Sequence, residues 1–234
     1  MGQISRLRAV IFDLDGTLVD SVPMALTVIN AMLAERGSDR RLNPEQARPF
    51  ASSGGLALMR GLLAEDCGDP EIELRDFRER YNSHETPPES IYDGVVPMLD
   101  CLNEAGLRLA VCSNKPQPLC EKVLGDLQLA DRFEVVMGSR PGVPEKPSPE
   151  MLDLLLTELD VSPSSCIFVG DSEVDVQFAA SREMPVMFVT HGYGNADESI
   201  ARENRFDHLS TLGQAILMRA SETDAVLAPA KAGC

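Results

Sequence analysis

The stretch Ala9-Val-Ile-Phe-Asp-Leu-Asp-Gly-Thr17 decides the fold that this sequence predicts. Its first four residues are continuously apolar, which is typical of a parallel strand buried on both faces. Asp13 and Asp15 fall at the carboxyl end of that strand, and Gly16 lets the chain turn sharply. Two carboxylates held together are costly unless a cation lies between them, and Mg²⁺ suits because it prefers oxygen ligands. The alternative interpretation is an ordinary polar loop after a strand.

Further apolar, β-rich runs recur along the chain, with helix-length segments between them. The predicted strands are Arg8–Phe12, Arg108–Cys112, Glu134–Met137, Cys166–Val169 and Val186–Val189. This alternation predicts an α/β fold with a Rossmann-like parallel sheet and helices on both faces. Ligands of such sheets bind at the carboxyl ends of the strands.

The long interval between the first two strands predicts an inserted small helical cap domain at residues 20–88. Its amphipathic stretches are Pro23–Arg36, Pro44–Ala51, Leu56–Glu65 and Glu71–Asn82. A structureless loop of this length would be implausible inside a compact domain. Residues 1–19 and 89–220 would then form the α/β catalytic core, and residues 221–234, rich in small side chains, would form a flexible tail.

The bulk composition limits the class of partner. The chain has 234 residues, a net charge of −16, 44% hydrophobic and 25% charged residues, so it is long and apolar enough to bury a substantial core. Such an acidic protein should repel nucleic acid and anionic membranes, so we expect neither as a partner. A small phosphorylated metabolite remains compatible, because a bound divalent cation inverts the local field.

The amino end and the cysteines indicate location. The segment before the first aspartate is too short for a signal peptide or a membrane span. The six cysteines contain no C-x-x-C pair, so we expect a reduced cytoplasmic protein, either a monomer or a homodimer.

Another apolar strand ends in Ser113 and Asn114, within Leu109-Ala-Val-Cys-Ser-Asn-Lys115. A hydroxyl, an amide and backbone N–H groups before a helix can cradle a phosphate, although Ser-Asn is also ordinary turn chemistry.

Lys146, one of four lysines, lies between prolines in Pro144-Glu-Lys-Pro-Ser-Pro149. A fixed ammonium there could neutralise a carboxylate and a phosphoryl group, and the alternative is a solvated loop lysine.

A third apolar strand leads into Gly170-Asp171, and Asp175 follows four residues later. A strand-end acid with an acid in the next helical turn suits a metal ion, although an N-capping Asp171 would give the same pattern. The joint pattern is more specific than any of its parts, because the ends of parallel strands meet at one crevice.

These motifs resemble those of the haloacid dehalogenase superfamily of phosphohydrolases. The resemblance rests on Asp-x-Asp-Gly-Thr, Ser-Asn-Lys, Lys-Pro-x-Pro and Gly-Asp-Ser-x-x-Asp, with a helical insertion after the first strand. Asp20-Ser-Val-Pro23, Ser-Asn-Lys-Pro116 and His191-Gly-Tyr-Gly194 are similar to segments of phosphoglycolate phosphatases and their relatives. The resemblance therefore implies a Mg²⁺-dependent phosphatase acting on a small phosphate monoester, phosphoglycolate-like or a sugar phosphate.

The resemblance also implies a role for each residue. Asp13 would be the nucleophile, Asp15 the general acid and base, and Lys146 the catalytic ammonium. Phosphate would be held by Asp15, Gly16, Ser113, Asn114 and Lys146, and Mg²⁺ by Asp13, the Asp15 carbonyl, Asp171 and Asp175.

The cap should select the substrate. It contains no lysine, which counts against a Schiff-base phosphonate hydrolase, and its cations are Arg36, Arg40, Arg41, Arg48, Arg60, Arg75, Arg78 and Arg80. One or two of these arginines could bind a substrate carboxylate. The loop Ser52, Ser53, Gly54 and Gly55 is the predicted specificity element, although it departs from the Gly-Asn-Gly pattern of phosphoglycolate phosphatases.

Three other functions compete with the phosphatase. A phosphomutase of the same superfamily, β-phosphoglucomutase-like, needs cap groups for a second phosphate, and the missing cap lysine counts against it. A dehalogenase proper needs no acid at the position of Asp15. A catalytically silent interaction protein would have no need of the intact acids and lysine. We assign no catalytic role to His84, His191 or His208.

Overall fold

The computed structural model describes residues 6–51, 54–195 and 200–227, with residues 223–227 described by their backbone alone. Within these ranges, six parallel strands form one sheet in the order β3-β2-β1-β4-β5-β6. The strands are β1 (Ala9–Phe12), β2 (Arg108–Pro116), β3 (Val135–Ser139), β4 (Cys166–Gly170), β5 (Val186–Val189) and β6 (Arg205–Phe206). The sheet confirms the predicted parallel α/β fold.

Helices cover both faces of the sheet. The helices of the core come after helices α1–α4 in the chain and are therefore numbered from α5. They are α5 (Val95–Glu104), α6 (Gln117–Asp126), α7 (Glu150–Glu158), α8 (Glu173–Ala180) and α9 (Leu209–Leu227). Val10 and Phe12 of β1 belong to the apolar cluster that contains α5, α6 and α9. Ala9 and Ile11 point the other way, into the cluster with α7 and α8. This alternation explains why β1 is continuously apolar.

In the described residues between β1 and α5 lie four α-helices: α1 (Val22–Glu35), α2 (Pro44–Ala51), α3 (Gly55–Leu63) and α4 (Pro70–Ser83). They pack on one another through buried apolar side chains such as Leu33, Leu62 and Phe77. Helix α4 begins where its sequence dictates, because Asp69 caps the Glu71 N–H at 2.9 Å and Pro70 occupies the first turn. The four amphipathic stretches are therefore helices, as predicted.

Several element boundaries differ from the prediction. Strand β2 continues through Ser113 and Asn114 to Pro116, with a shift of register against β3 after Cys112. Helix α3 stops at Leu63 because Ala64 adopts a φ of +50°. The short strand β6 was not predicted.

The carboxyl-terminal helix α9 was also not predicted, and it reaches Leu227, beyond the boundary set at residue 220. None of the helices in the described ranges combines the length and the apolar composition that a bilayer-spanning segment requires.

The register of the central strands sets the position of the site. Phe12 is level with Val111 of β2 and Val169 of β4, and the Asp13 N–H donates to the Val169 carbonyl at 2.9 Å. Strand order also reverses at β1, since β2 and β3 lie on one side of it and β4 to β6 on the other. The residues that follow these strands therefore share one crevice.

Candidate active site

Asp13 and Asp175 are joined by the ammonium of Lys146. The Lys146 Nζ lies 3.0 Å from Asp13 Oδ1 and donates to Asp175 Oδ1 at 2.7 Å. Lys146 is only 5% exposed and stands over the rings of Phe168 and Phe178, so it is not the solvated loop lysine of the alternative interpretation. Burial opposes its charge, but the Asp13 and Asp175 carboxylates prevail and raise the pKa of Lys146.

The position of Lys146 is fixed by Asn114. The Asn114 side chain accepts a hydrogen bond from the Lys146 N–H at 2.8 Å and donates to the Lys146 carbonyl at 3.0 Å. This positioning role was not foreseen for Asn114, which was predicted to bind phosphate. Ser113 is buried beside it and lines the same cavity as Asp13.

Asp171 lies on the other side of Asp13. Its carboxylate accepts hydrogen bonds from Thr17 Oγ1 at 3.0 Å and from the Tyr193 N–H at 2.7 Å. The alternative interpretation made Asp171 an N-cap, but the N-cap of α8 is Ser172, which forms a capping box with Asp175. Asp171 is thus left at the strand end, 1% exposed, facing the cavity.

Asp13, Asp171 and Asp175 each present one carboxylate oxygen within 4.8 Å of the other two. Burial, partly offset by Lys146, raises the pKa of Asp13 to about 6. Burial and the Asp175 and Asp13 charges raise the pKa of Asp171 to about 7. Three carboxylates and one ammonium leave an excess of negative charge. This donor set fits a divalent cation.

Asp15 pairs with a different cation, Lys115. The Lys115 Nζ donates to both carboxylate oxygens of Asp15, at 3.0 and 2.9 Å, and lies 4.8 Å from the ring centre of Tyr81 in α4. Burial opposes the charge of Lys115, but the Asp15 carboxylate outweighs it and raises the pKa of Lys115. Sequence reasoning gave Lys115 no role, although it stands two residues after Ser113, a spacing that favours the same side of a strand.

Glycines close the acidic cluster from two sides. A Cβ on Gly16, where φ is +85°, would meet Asp171 Oδ2 at 2.4 Å, and a Cβ on Gly192 would meet Asp171 Cβ at 2.3 Å. The Gly16 N–H donates to the Val19 carbonyl at 2.8 Å. The absent side chain of Gly16 makes room for Asp171, and phosphate binding by Gly16 stays a prediction.

A polar network that was not foreseen links α1 and α2 to the site. The Tyr193 hydroxyl accepts from the Ser21 N–H at 2.7 Å and donates to Asp20 Oδ1 at 2.9 Å, and Arg48 pairs with Asp20 at 3.2 Å. The His191 ring, whose pKa is lowered by burial, lies 3.2 Å from the Thr17 carbonyl. His191 thus contacts the loop that follows β1.

A cavity of about 170 Å³ opens above these groups. Its floor holds the carboxylates and lysines described above, and its walls come from α1 to α4. The wall residues include Ala47, Leu58, Leu74, Phe77 and Arg78. Gly54 and Gly55 of the predicted specificity loop also line it, whereas Ser52 and Ser53 lie outside the described residues.

Comparison with known proteins gives a consistent match. A family model described as a haloacid dehalogenase-like hydrolase matches residues 7–181, which include the ends of β1, β2 and β4. A phosphoglycolate phosphatase from Xanthomonas campestris pv. campestris (strain 8004) is 35% identical over 192 residues, 82% of this chain and 86% of that protein. An N-acetylmuramic acid 6-phosphate phosphatase from Pseudomonas aeruginosa is 30% identical over 198 residues, 84% of this chain and 87% of that protein.

Solved structures share the architecture. The crystal structure of a predicted phosphoglycolate phosphatase from Haemophilus somnus 129pt matches with a TM-score of 0.76 and 23% identity, covering 92% of this chain and all of that one. At this level of identity the match shows a shared fold.

Proposed function

Because the chain belongs to the haloacid dehalogenase-like hydrolase family and is a phosphatase of that family, we propose that it hydrolyses a small phosphate monoester with Mg²⁺. The proposal includes an aspartyl-phosphate intermediate on Asp13. One observation carries it: Asp13 and Asp15 stand in different environments. Asp13 belongs to the buried acidic cluster with Lys146, and Asp15 is paired separately with Lys115. Two carboxylates with different surroundings suit two different chemical roles.

In the first step, Asp13 attacks phosphorus and the ester P–O bond breaks. The leaving oxygen takes a proton from Asp15, which enters this step as the carboxylic acid and leaves it as the carboxylate. In the second step, Asp15 takes a proton from water, the water oxygen attacks phosphorus, and the bond to Asp13 breaks, which returns both carboxyl groups to their starting states. Lys146 and Ser113 hold the phosphoryl oxygens, while Asn114 keeps Lys146 in place.

Asp13, the Asp15 carbonyl and Asp171 would hold the Mg²⁺. When bound, this ion offsets phosphoryl charge and orients the ester. Asp175 has a different balance of contacts: Oδ2 already accepts from the Ser172 N–H and hydroxyl, and Oδ1 accepts from Lys146. We therefore propose that Asp175 supports the metal site mainly by orienting Lys146.

Helices α1–α4, within residues 20–88, form the proposed cap over a core of residues 1–19 and 89–220. The cap supplies the apolar walls of the cavity, which exclude water from the phosphoryl group and contact the leaving group. Phosphoglycolate, the substrate named for one relative, is the first ester to test.

The decisive experiment measures phosphate release and sugar isomerisation in parallel, on a panel of phosphate esters with and without Mg²⁺. The phosphatase proposal expects Mg²⁺-dependent release of phosphate and no isomerisation. Isomerisation of a hexose phosphate without net phosphate release would instead establish the mutase.

A further inference from the structure

Among the described residues, three cations line the cavity, and two of them are already neutralised within the protein. Lys146 pairs with Asp13 and Asp175, and Lys115 pairs with Asp15. The third is Arg78, on α4. It makes no hydrogen bond or ion pair with any described residue, so its charge is the one that a ligand can use.

The other arginines of residues 20–88 differ from Arg78 in one of two ways. Arg36, Arg40, Arg48 and Arg80 each pair with a carboxylate, and Arg41, Arg60 and Arg75 are exposed. Arg78 alone among them, within the part of the chain that the structure describes, is partly buried and without a partner carboxylate. Burial lowers the pKa of its guanidinium, and only the more distant charge of Glu145 counteracts this. Such a charge is stabilised when an anion arrives.

Helix geometry places Arg78 on the side of α4 that lines the cavity. Leu74, Arg78 and Tyr81 are spaced i, i+4 and i+7, which places them on one face of α4, and all three line the cavity. Tyr81 contacts Lys115, the partner of Asp15. Arg78 lies three residues before Tyr81, about 4.5 Å along the axis. A leaving group of two or three carbons, protonated by Asp15, would extend toward this face.

We propose that Arg78 is a subsite for a carboxylate carried by the leaving group, so that the substrates are phosphate esters of short hydroxy acids. This inference rests on the proposed function, with the phosphoryl group at Asp13. A guanidinium binds a carboxylate through two parallel hydrogen bonds and matches its single charge. A second phosphate would bring nearly two charges, and no other unpaired cation among the described residues lines the cavity.

The competing role for Arg78 is to hold the cap closed. Arg78 and Glu145 both line a second groove, beside the cavity, at the junction of α4 and the core. If their attraction controlled closure, loss of Arg78 would slow the hydrolysis of every ester alike. The carboxylate subsite predicts a selective effect instead.

The test compares 2-phosphoglycolate with ethyl phosphate, which has the same two carbons and no carboxylate. Arg78→Gln should raise KM for 2-phosphoglycolate roughly 10- to 100-fold and leave ethyl phosphate within about 2-fold. Arg78→Lys should recover part of the loss, because the charge returns without the planar fork. Arg75→Gln, an exposed change on the same helix, is the matched control and should alter neither ester. An equal loss on both esters would overturn the carboxylate subsite in favour of the closure role.

A binding experiment separates this inference from the proposed reaction. Binding can be measured without turnover in the Asp13→Asn protein. Each ester is titrated calorimetrically, in the presence of Mg²⁺, into this variant and into the double variant that also carries Arg78→Gln. If Arg78 is the carboxylate subsite, Arg78→Gln should raise the dissociation constant of 2-phosphoglycolate roughly 10- to 100-fold and leave that of ethyl phosphate unchanged. Glucose 1,6-bisphosphate is the third ester in the titration. If Arg78→Gln weakened the binding of this bisphosphate and not that of 2-phosphoglycolate, the proposal that Arg78 binds a carboxylate would be overturned. If the wild type hydrolyses none of the esters, the proposed function fails while this titration still decides the subsite.

Discussion

Lys115 donates hydrogen bonds to both carboxylate oxygens of Asp15, at 3.0 and 2.9 Å, and its ammonium lies 4.8 Å from the ring centre of Tyr81. Lys115 belongs to β2, Asp15 lies in the loop after β1, and Tyr81 belongs to α4. One lysine therefore links the proposed general acid to the helices that surround the leaving group. Because both oxygens are engaged, the plane of the Asp15 carboxylate is fixed before a substrate binds.

Replacing Lys115 by Met should lower kcat by about 10- to 100-fold with a much smaller change in KM. The reason is that Asp15 loses the partner that orients it for proton transfer, whereas Asp13 and Lys146 keep theirs. Steady-state kinetics with 2-phosphoglycolate measure the two constants. Lys122→Met removes a lysine of α6 that pairs with Asp126 away from the cavity, and it serves as the control. An unchanged kcat in Lys115→Met would show that the pair does not position Asp15.

Replacing Asp13 by Asn should reduce turnover at least about 1,000-fold, because the amide cannot form the phosphoenzyme. The fold should persist, since the change removes one of three crowded carboxylates and leaves Lys146 paired with Asp175. Thermal unfolding without Mg²⁺ should give a Tm no lower than that of the wild type. Substantial turnover by the variant would refute Asp13 as nucleophile, and a large fall in Tm would show that its charge is needed for folding.

The sequence predicted the strand-end groups because their placement depends on local rules. A continuously apolar run marks a buried parallel strand, so the polar residues after β1 and β4 had to reach the same edge of the sheet. Asp13, Asp171 and Asp175 follow from that rule, and the structure brings their carboxylates together.

Contacts that depend on long-range packing were not predictable in the same way. Asn114 bonds to the Lys146 backbone across 32 residues, and Tyr193 reaches Asp20 across 173. The role of Lys115 depends on how β2 continues past its register shift, and that of Arg78 on which face of α4 turns inward. The pattern of α4 predicts a helix with a buried face, but only the docking of that face on the core shows which cation remains unpaired.

Gly192→Ala should disrupt the site by steric overlap alone, since a Cβ at this position would lie 2.3 Å from the Asp171 side chain. We expect a destabilisation of about 1 to 3 kcal/mol, typical of overpacking, and a loss of activity as Asp171 moves. Chemical denaturation and phosphate release measure the two effects. Gly125→Ala is the control, because a Cβ on that α6 residue meets nothing within 4 Å and should stabilise the helix by about 0.5 to 1 kcal/mol. A Gly192→Ala protein with normal stability and activity would show that Asp171 tolerates displacement.

Stability should depend jointly on Mg²⁺ and pH. The pKa of Asp13 is raised to about 6 and that of Asp171 to about 7, each first by burial. The folded metal-free protein therefore binds protons that the unfolded chain has released. These two carboxyl groups stabilise the folded state at low pH, and that stabilisation is lost as the pH rises through about 6 to 7. Mg²⁺ requires the deprotonated carboxylates, so saturating Mg²⁺ should raise Tm by about 5 to 10 °C near pH 8 and much less near pH 5. Differential scanning fluorimetry at both pH values measures this. Asp171→Asn should remove most of the gain, and an equal Mg²⁺ effect at both pH values would contradict metal binding by these carboxylates.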